Sequence, residues 1–421
     1  MDKLIIRGGK KLSGTVHVNG SKNAVLPIMA ACILANGPST ISNVPDLADV
    51  KTMVSLLEKF GVTVAYAKEK TLTIDPRGIK KHIAHYDLVR RMRASICVLG
   101  PLLGRFGKAK VSMPGGCVIG PRPIDLHLKG IKALGASVKI EHGYVIAEAR
   151  QLKGTNIYLG GRFGSSVLAT GNIMMAAVKA KGITIIENAA CEPEVVDLAR
   201  FLCKMGAKIE GAGSHVISVT GVKELHGTEH AVIRDRIEAG TYLVAGAITN
   251  SDIVVDGVQQ EYMRAVIEKL KETGVKVSLR GEKARVKGTK RLKPIEIVTL
   301  PYPGFPTDMQ AQFMALMTLI PGISIVTEKV YTERFMHVPE LMRMAADISL
   351  EGSTAIVKGV KNLSGAPVMA SDLRASAALV LAGLAANGTT EVNRIYHLDR
   401  GYEKMDEKLR ALGADIERVK A

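Results

Sequence analysis

The sequence predicts an α/β protein made of six copies of one unit, grouped as two domains of three. Three observations carry that reading: a recurring helix end, its even spacing, and a duplication linking the two ends of the chain. The helix end has the form Leu/Ile-x-x-x-Gly followed by a short strand. It recurs around Gly61, Gly135, Gly206, Gly274 and Gly413, and once with Ala345 in place of glycine. Neighbouring marks lie about 70 residues apart, the period expected of a repeated supersecondary unit. Leu12-Ser13-Gly14 returns as Leu363-Ser364-Gly365, and Ala35-Asn36-Gly37 returns as Ala386-Asn387-Gly388.

Each mark reads as a helix closed by a left-handed cap and then a strand. In the first unit Val50, Met53, Val54 and Leu57 fall at i, i+3, i+4 and i+7, one apolar helix face before Gly61. An earlier helix runs from Ala24 and stops at Asn36-Gly37, and the strand-like Thr40 to Val44 follows. The unit therefore reads strand, helix, strand, helix, strand, strand. Two domains of three such units leave a cleft between them, where ligands usually bind.

Counting back from each mark reaches the start of the unit's first helix at Asn23, Arg93, Leu168, Asp235, Asp308 and Arg374. Arg93-Ala94-Ser95 recurs as Arg374-Ala375-Ser376, which supports the register. A helix start offers unpaired N–H groups and about half a positive charge, so several of them facing one cleft suit an anionic substrate.

Composition narrows the class. The chain has 421 residues, 47% of them apolar and 23% charged, with 57 Lys+Arg against 40 Asp+Glu and a formal charge of +17. That much apolar material excludes global disorder and fills two or three cores. The longest apolar runs, Ala24 to Ala35 and Ala375 to Ala386, fall short of the ~20 residues that span a bilayer. The N-terminus shows no secretory leader pattern, so a soluble, cytoplasmic protein is expected. Five cysteines without a C-x-x-C pair exclude a disulfide scaffold. Basic residues are scattered, and 7 Phe and 10 Tyr with no Trp give few bases a stacking surface. Small anions, rather than nucleic acid or a membrane, are the expected partners.

Three segments stand out as chemistry. Pro114-Gly115-Gly116-Cys117-Val118-Ile119-Gly120-Pro121-Arg122-Pro123 is a loop holding a thiol among glycines, with Arg122 near enough to lower its pKa. Cys32 and Cys97 lie in apolar helical runs and Cys203 in a helix near its cap, so these three read as structural. Phe305-Pro306-Thr307-Asp308 puts a carboxylate at a helix entrance, suited to a general base. Tyr396 to Glu403 clusters polar groups at another turn, while His337 reads as a structural histidine. No H-x-x-x-H, P-loop or Rossmann fingerprint occurs.

Six stretches together resemble one family over the whole chain. They are Gly20-Ser21-Lys22-Asn23, Arg91 to Ser95, the Pro-Gly-Gly-Cys loop continuing to His127, Phe305 to Asp308, Asp372 to Ser376, and Asp399-Arg400-Gly401-Tyr402. They are similar to the UDP-N-acetylglucosamine 1-carboxyvinyltransferases. The resemblance implies the EPSP synthase-like fold: two inside-out α/β barrel domains, each of three βαβαββ units. It puts residues 22–232 in the first domain and 1–21 with 233–421 in the second, the active site between them. It also implies transfer of the enolpyruvyl group of phosphoenolpyruvate to the 3′-hydroxyl of UDP-N-acetylglucosamine, without metal or organic cofactor.

By the same resemblance Cys117 is the general acid and Asp308 accepts the hydroxyl proton. Lys22, Arg122 and Arg400 hold the donor's phosphate and carboxylate, with Asn23 and Arg374 nearby. Arg93, the segment Arg122, Pro123, Ile124, Asp125, Leu126, and Val330 contact the UDP-sugar. The 3-phosphoshikimate 1-carboxyvinyltransferases share fold and donor but lack the Pro-Gly-Gly-Cys loop. One position departs from the pattern: Ser-Val-Gly-Ala-Thr reads Ser166-Val167-Leu168-Ala169-Thr170, adding bulk where backbone approaches the diphosphate.

Overall fold

In the computed structural model, residues 2–114, 124–161 and 164–420 are described. The first helix of each repeat sets the architecture, because its apolar residues surround the whole axis instead of forming a stripe. Ala24–Ala31 of the helix Lys22–Ala31 are all buried, as are Ala169–Ala177 of Val167–Ala177 and Arg374–Leu384 of Leu373–Ala385. A helix apolar on every side must sit inside a core. The second helices are amphipathic: Ala48–Phe60 buries Val50, Met53, Val54, Leu56, Leu57 and Phe60 and turns Lys51, Glu58 and Lys59 outward.

Six four-stranded sheets surround these helices among the described residues. In the third repeat Asn156–Tyr158 pairs in parallel with Ile183–Glu187, which pairs antiparallel with Val216–Thr220, which in turn pairs with Lys208–Glu210. The other sheets follow the same plan. Strands alternate: in Ile183–Glu187, Thr184 and Ile186 point inward while Ile183 and Glu187 are exposed.

The first repeat is not contiguous as its pattern suggested. Ser13–His17 pairs in parallel with Asp252–Asp256 of the fourth repeat, and Glu229–Ala231 completes the first repeat's sheet beside Ser39–Ser42. Asp2–Arg7 enters the last sheet between Thr389–Asn393 and Asp415–Lys420. The chain divides into two compact bodies: a central one from Gly20 to Ile233, and a composite one from the N-terminal stretch through Asn19 together with Arg234 onward. Each body has its own apolar core. The boundaries fall two residues earlier and one residue later than expected. Local bonds account for this: the Ser21 N–H donates to the Ile233 carbonyl, and that of Asp235 to the Asn19 carbonyl. No helix among the described residues is long and apolar enough to cross a membrane.

All six repeat marks are left-handed helix ends. Gly61, Gly135, Gly206, Gly274 and Gly413 have φ between 91° and 104°, and Ala345 takes the same role at φ 68°. A side chain there costs ~1 kcal/mol.

Inside the central body one buried amide of the third repeat ties together both helical segments of the second. Asn172 Oδ1 accepts from the Gly100 N–H at 2.6 Å, while its Nδ2 donates to the Ile96 carbonyl and to His127 Nδ1, both at 2.9 Å. Because the amide is the donor, the His127 ring accepts and is neutral. Burial, reinforced by the Arg93 charge, pushes His127 down to about 3. In the composite body burial likewise takes His337 down to about 4, Asp372 and Arg334 acting on it in opposite senses.

Two outcomes are expected. Ala345→Gly raises stability by about 1 kcal/mol, read as a higher urea midpoint, because it relieves the left-handed strain. Stability also falls with acid. The unfolded chain protonates these histidines near 6.5, the fold refuses the proton until about 3 to 4, so stability is full above 6.5 and drains away below it. At pH 5 that loss is roughly 2 kcal/mol per histidine. His127→Gln, which keeps an acceptor for Asn172, shows about half the drop in urea midpoint between pH 7.5 and 5.

Candidate functional site

Polar side chains gather at the first turns of the buried helices. In the central body Lys22 is the first residue of Lys22–Ala31, and its ammonium lies 2.8 Å from Asp49 Oδ2 with both groups almost fully buried. A cation at a helix start opposes the backbone dipole, whereas Asp49, in the first turn of its own helix, is well placed to offset it. Half-buried Asn23 follows. Arg93 opens the 3-10 turn Arg93–Val98, which leads into Leu99–Phe106 and packs against Lys22–Ala31. Ile124 is buried, and Asp125 and Leu126 open the helix Asp125–Ala133, held to the Arg93 turn through His127 and Asn172. Cys117, Arg122 and Pro123 lie outside the described residues. Of the other cysteines, burial pushes Cys32 and Cys97 up to about 12, which makes their thiols inert.

In the composite body the structure brings Asp308, Arg374 and Val330 together and adds residues that the sequence did not single out. Asp308 stands in the 3-10 turn Thr307–Met309 that leads into Gln310–Met317. Its Oδ1 accepts from Arg334 Nη1 at 2.8 Å, and its Oδ2 lies 3.2 Å from both Nε and Nη2 of Arg374. The two guanidinium side chains are 5% and 1% exposed, the carboxylate 26%. The acid is the solvent-facing member of the cluster. Burial alone would lower both arginines. Instead Tyr402, Asp308 and Asp235 hold Arg374 well above its ordinary value, and Asp308, Asp372 and Glu328 raise Arg334.

Arg374 is fixed from behind. Its guanidinium lies 5.3 Å from the centre of the Tyr402 ring, and the Tyr402 hydroxyl meets Thr241 Oγ1 at 2.9 Å and Gln312 Nε2 at 3.2 Å. Asp372 caps its helix by accepting from the Arg374 and Ala375 N–H groups. Glu328, fully buried at the end of Ile323–Glu328, accepts from Thr299, Thr307 and the N–H groups of Val330 and Tyr331. Arg400 ends a separate 3-10 turn, Ile395–Arg400, half-buried beside His397, which burial and then the Arg400 charge hold low.

Arg334 and Glu328 escaped sequence reasoning because neither sits at a helix start; Glu328 continues the inward face of Ile323–Glu328 after Ser324 and Val326, where an acid is not expected. Asn172 and Gln312 were within reach. Each lies four residues past its repeat's helix start, Leu168 or Asp308, and each is a buried amide that bonds across helices.

The arrangement offers a partly exposed carboxylate backed by buried cations in one body, and a buried lysine with an arginine turn in the other. Comparison with known proteins agrees in kind. The family described as EPSP synthase (3-phosphoshikimate 1-carboxyvinyltransferase) matches residues 6–409. A relative from Geotalea daltonii, a UDP-N-acetylglucosamine 1-carboxyvinyltransferase, is 57% identical over 419 residues and covers all of both chains. One of the same description from Myxococcus xanthus is 55% identical over 424 residues, again with full coverage. Among solved structures, the enolpyruvyl transferase NikO from Streptomyces tendae superposes with a TM-score of 0.91 at 26% identity, covering 100% of this chain and 99% of its own. EPSP synthase from Acinetobacter baumannii shares the fold at a TM-score of 0.77 and 20% identity, with both chains fully covered. Full-length matches of this kind, on a chain whose polar residues gather at the same helix starts, make it an enzyme belonging to the EPSP synthase (3-phosphoshikimate 1-carboxyvinyltransferase) family.

Proposed function

We propose that this enzyme transfers the enolpyruvyl group of phosphoenolpyruvate to the 3′-hydroxyl of UDP-N-acetylglucosamine with release of phosphate, the first committed step of peptidoglycan precursor synthesis. The observation that carries the reading is Asp308, a carboxylate open to solvent on one side and held by two buried guanidinium groups on the other. Relatives described by this activity, more than half identical end to end, support the choice of substrates.

The steps balance without a cofactor. Cys117 gives a proton to the methylene carbon of phosphoenolpyruvate while the sugar hydroxyl adds to the neighbouring carbon and passes its proton to Asp308. The resulting tetrahedral adduct loses inorganic phosphate, which carries off the proton held by Asp308, and one methyl proton, which returns to the Cys117 thiolate, restoring the double bond in the enolpyruvyl ether. Lys22, Arg122 and Arg400 neutralise the donor's phosphate and carboxylate, with Asn23 and Arg374 supplying further polar contact where charge develops. Arg93, Ile124, Asp125, Leu126 and Val330, with Arg122 and Pro123, bind the nucleotide sugar. Lys22 reaches the donor in this reading while its ammonium stays paired with Asp49. A cytoplasmic location goes with this reading.

Leu168 is the one position that tells against tight nucleotide binding. It is the second residue of the Ser166-capped helix Val167–Ala177, half-buried and packed on the central core. A leucine there adds bulk at a helix start, where backbone N–H groups otherwise suit a diphosphate.

Phosphate release in the presence of phosphoenolpyruvate is expected with UDP-N-acetylglucosamine and not with 3-phosphoshikimate, the reverse result pointing to the other branch of the family. Cys117→Ala lowers turnover by about 10²-fold or more, and the epoxide fosfomycin adds its mass to Cys117 alone; a fully active variant makes the thiol a bystander. Leu168→Gly tightens UDP-N-acetylglucosamine binding in calorimetry, and an unchanged or raised dissociation constant refutes that role.

A further inference from the structure

Glu328 is fully buried, yet it lies on neither a helix start nor a conspicuous motif. It is the cross-strand partner of Thr299, and its carboxylate accepts four hydrogen bonds. Oε1 takes the Thr299 hydroxyl at 2.6 Å and the Val330 and Tyr331 N–H groups, each at 2.9 Å. Oε2 takes the Thr307 hydroxyl at 2.9 Å. Thr299 Oγ1 in turn accepts from the Lys329 N–H, so three successive amides after the strand are satisfied by this one pair of side chains. Thr307, having donated to Glu328, accepts from Arg334 Nη1 at 3.1 Å, the same nitrogen that reaches Asp308.

A buried carboxylate is costly unless its lone pairs are used, and here they are used on one task. From Glu328 the bonds run one way to the residue before Asp308 and to the arginine that holds Asp308. The other way they run to the backbone of Val330. Those are the two places where the proposed reaction meets its acceptor. The donor's expected contacts, Lys22 and Arg400, stand on other elements. We infer that Glu328, acting through Thr307, is the positioning residue for the acceptor: it sets Asp308 and the Val330 turn in register with the sugar hydroxyl. This rests on the function proposed above.

The carboxylate form matters. A glutamine keeping its oxygen on Thr299, Val330 and Tyr331 must present its NH2 to Thr307, which reverses that hydroxyl from donor to acceptor while Arg334 competes for the same oxygen. The test is steady-state kinetics and calorimetry on Glu328→Gln, Thr307→Val and Thr307→Ser, each checked by circular dichroism and thermal melting. Glu328→Gln and Thr307→Val are expected to raise KM and Kd for UDP-N-acetylglucosamine about tenfold, with KM for phosphoenolpyruvate within twofold of wild type. Thr307→Ser, which keeps the hydroxyl, restores the wild-type value. Equal rises for both substrates, failure of Thr307→Ser to rescue, or unchanged acceptor affinity would each overturn the assignment. If wild-type enzyme releases phosphate only with 3-phosphoshikimate, the function proposed above fails by itself, and the same comparison made on that acceptor decides for or against Glu328.

Discussion

The constraint behind the whole molecule is that the first helix of nearly every repeat is buried on every side. A helix such as Leu373–Ala385, with Ala375 to Leu384 all inside, has no face to lend to polar chemistry. Placing an unpaired polar group midway along it costs several kcal/mol. Charge is therefore kept to the ends of these helices, chiefly the opening turn, where unpaired N–H groups are at hand; Arg105 sits in the last turn of Leu99–Phe106. The exceptions obey the same rule. Asn172 and Gln312 sit one turn further in, but their amides bond to neighbouring helices and tyrosine or histidine side chains. Such amides stiffen the frame without exposing a charge.

The Asp308 cluster shows what this confinement permits. Two guanidinium groups lie deeper than the carboxylate they hold, so the negative end faces out and the positive charge is stored behind it. Removing one partner of a buried pair leaves an uncompensated charge and costs about 3 to 5 kcal/mol. Asp308 thus serves stability as well as the chemistry proposed for it. Arg374, stacked on Tyr402 and almost fully buried, is the most constrained member, and the Thr241, Gln312 and Tyr402 bonds spread that constraint over three helix starts.

Much of this was legible from spacing alone. The six marks gave the repeat count, and Ala345 was found as the sixth without a glycine because its flanking Leu341 to Ile348 kept the pattern. The helix starts were also in reach, since Asp308 and Arg374 follow from register. Strand exchange was not legible from the repeat pattern: Ser13–His17 and Glu229–Ala231 have the alternation of any strand, and pairing partners more than 180 residues away leave no local trace. Arg334 and Glu328 were hidden for a related reason. Their importance comes from what they touch, and nothing in Val330-Tyr331-Thr332-Glu333-Arg334 repeats or alternates.

The helix starts also explain why one acid among several is the one proposed for a proton transfer. Asp235 and Asp372 stand at equivalent turns and are both committed as caps, each accepting two backbone N–H groups. Their lone pairs are engaged by the helix, and both are buried. Asp308 makes no cap: its turn begins at Pro306, and its oxygens face arginine side chains instead. A guanidinium partner differs from a helix amide in that it carries a full charge, which a bound anion can share with the carboxylate. Of three carboxylates at the openings of these helices, the uncapped one is also the most exposed, its side chain 26% open to solvent.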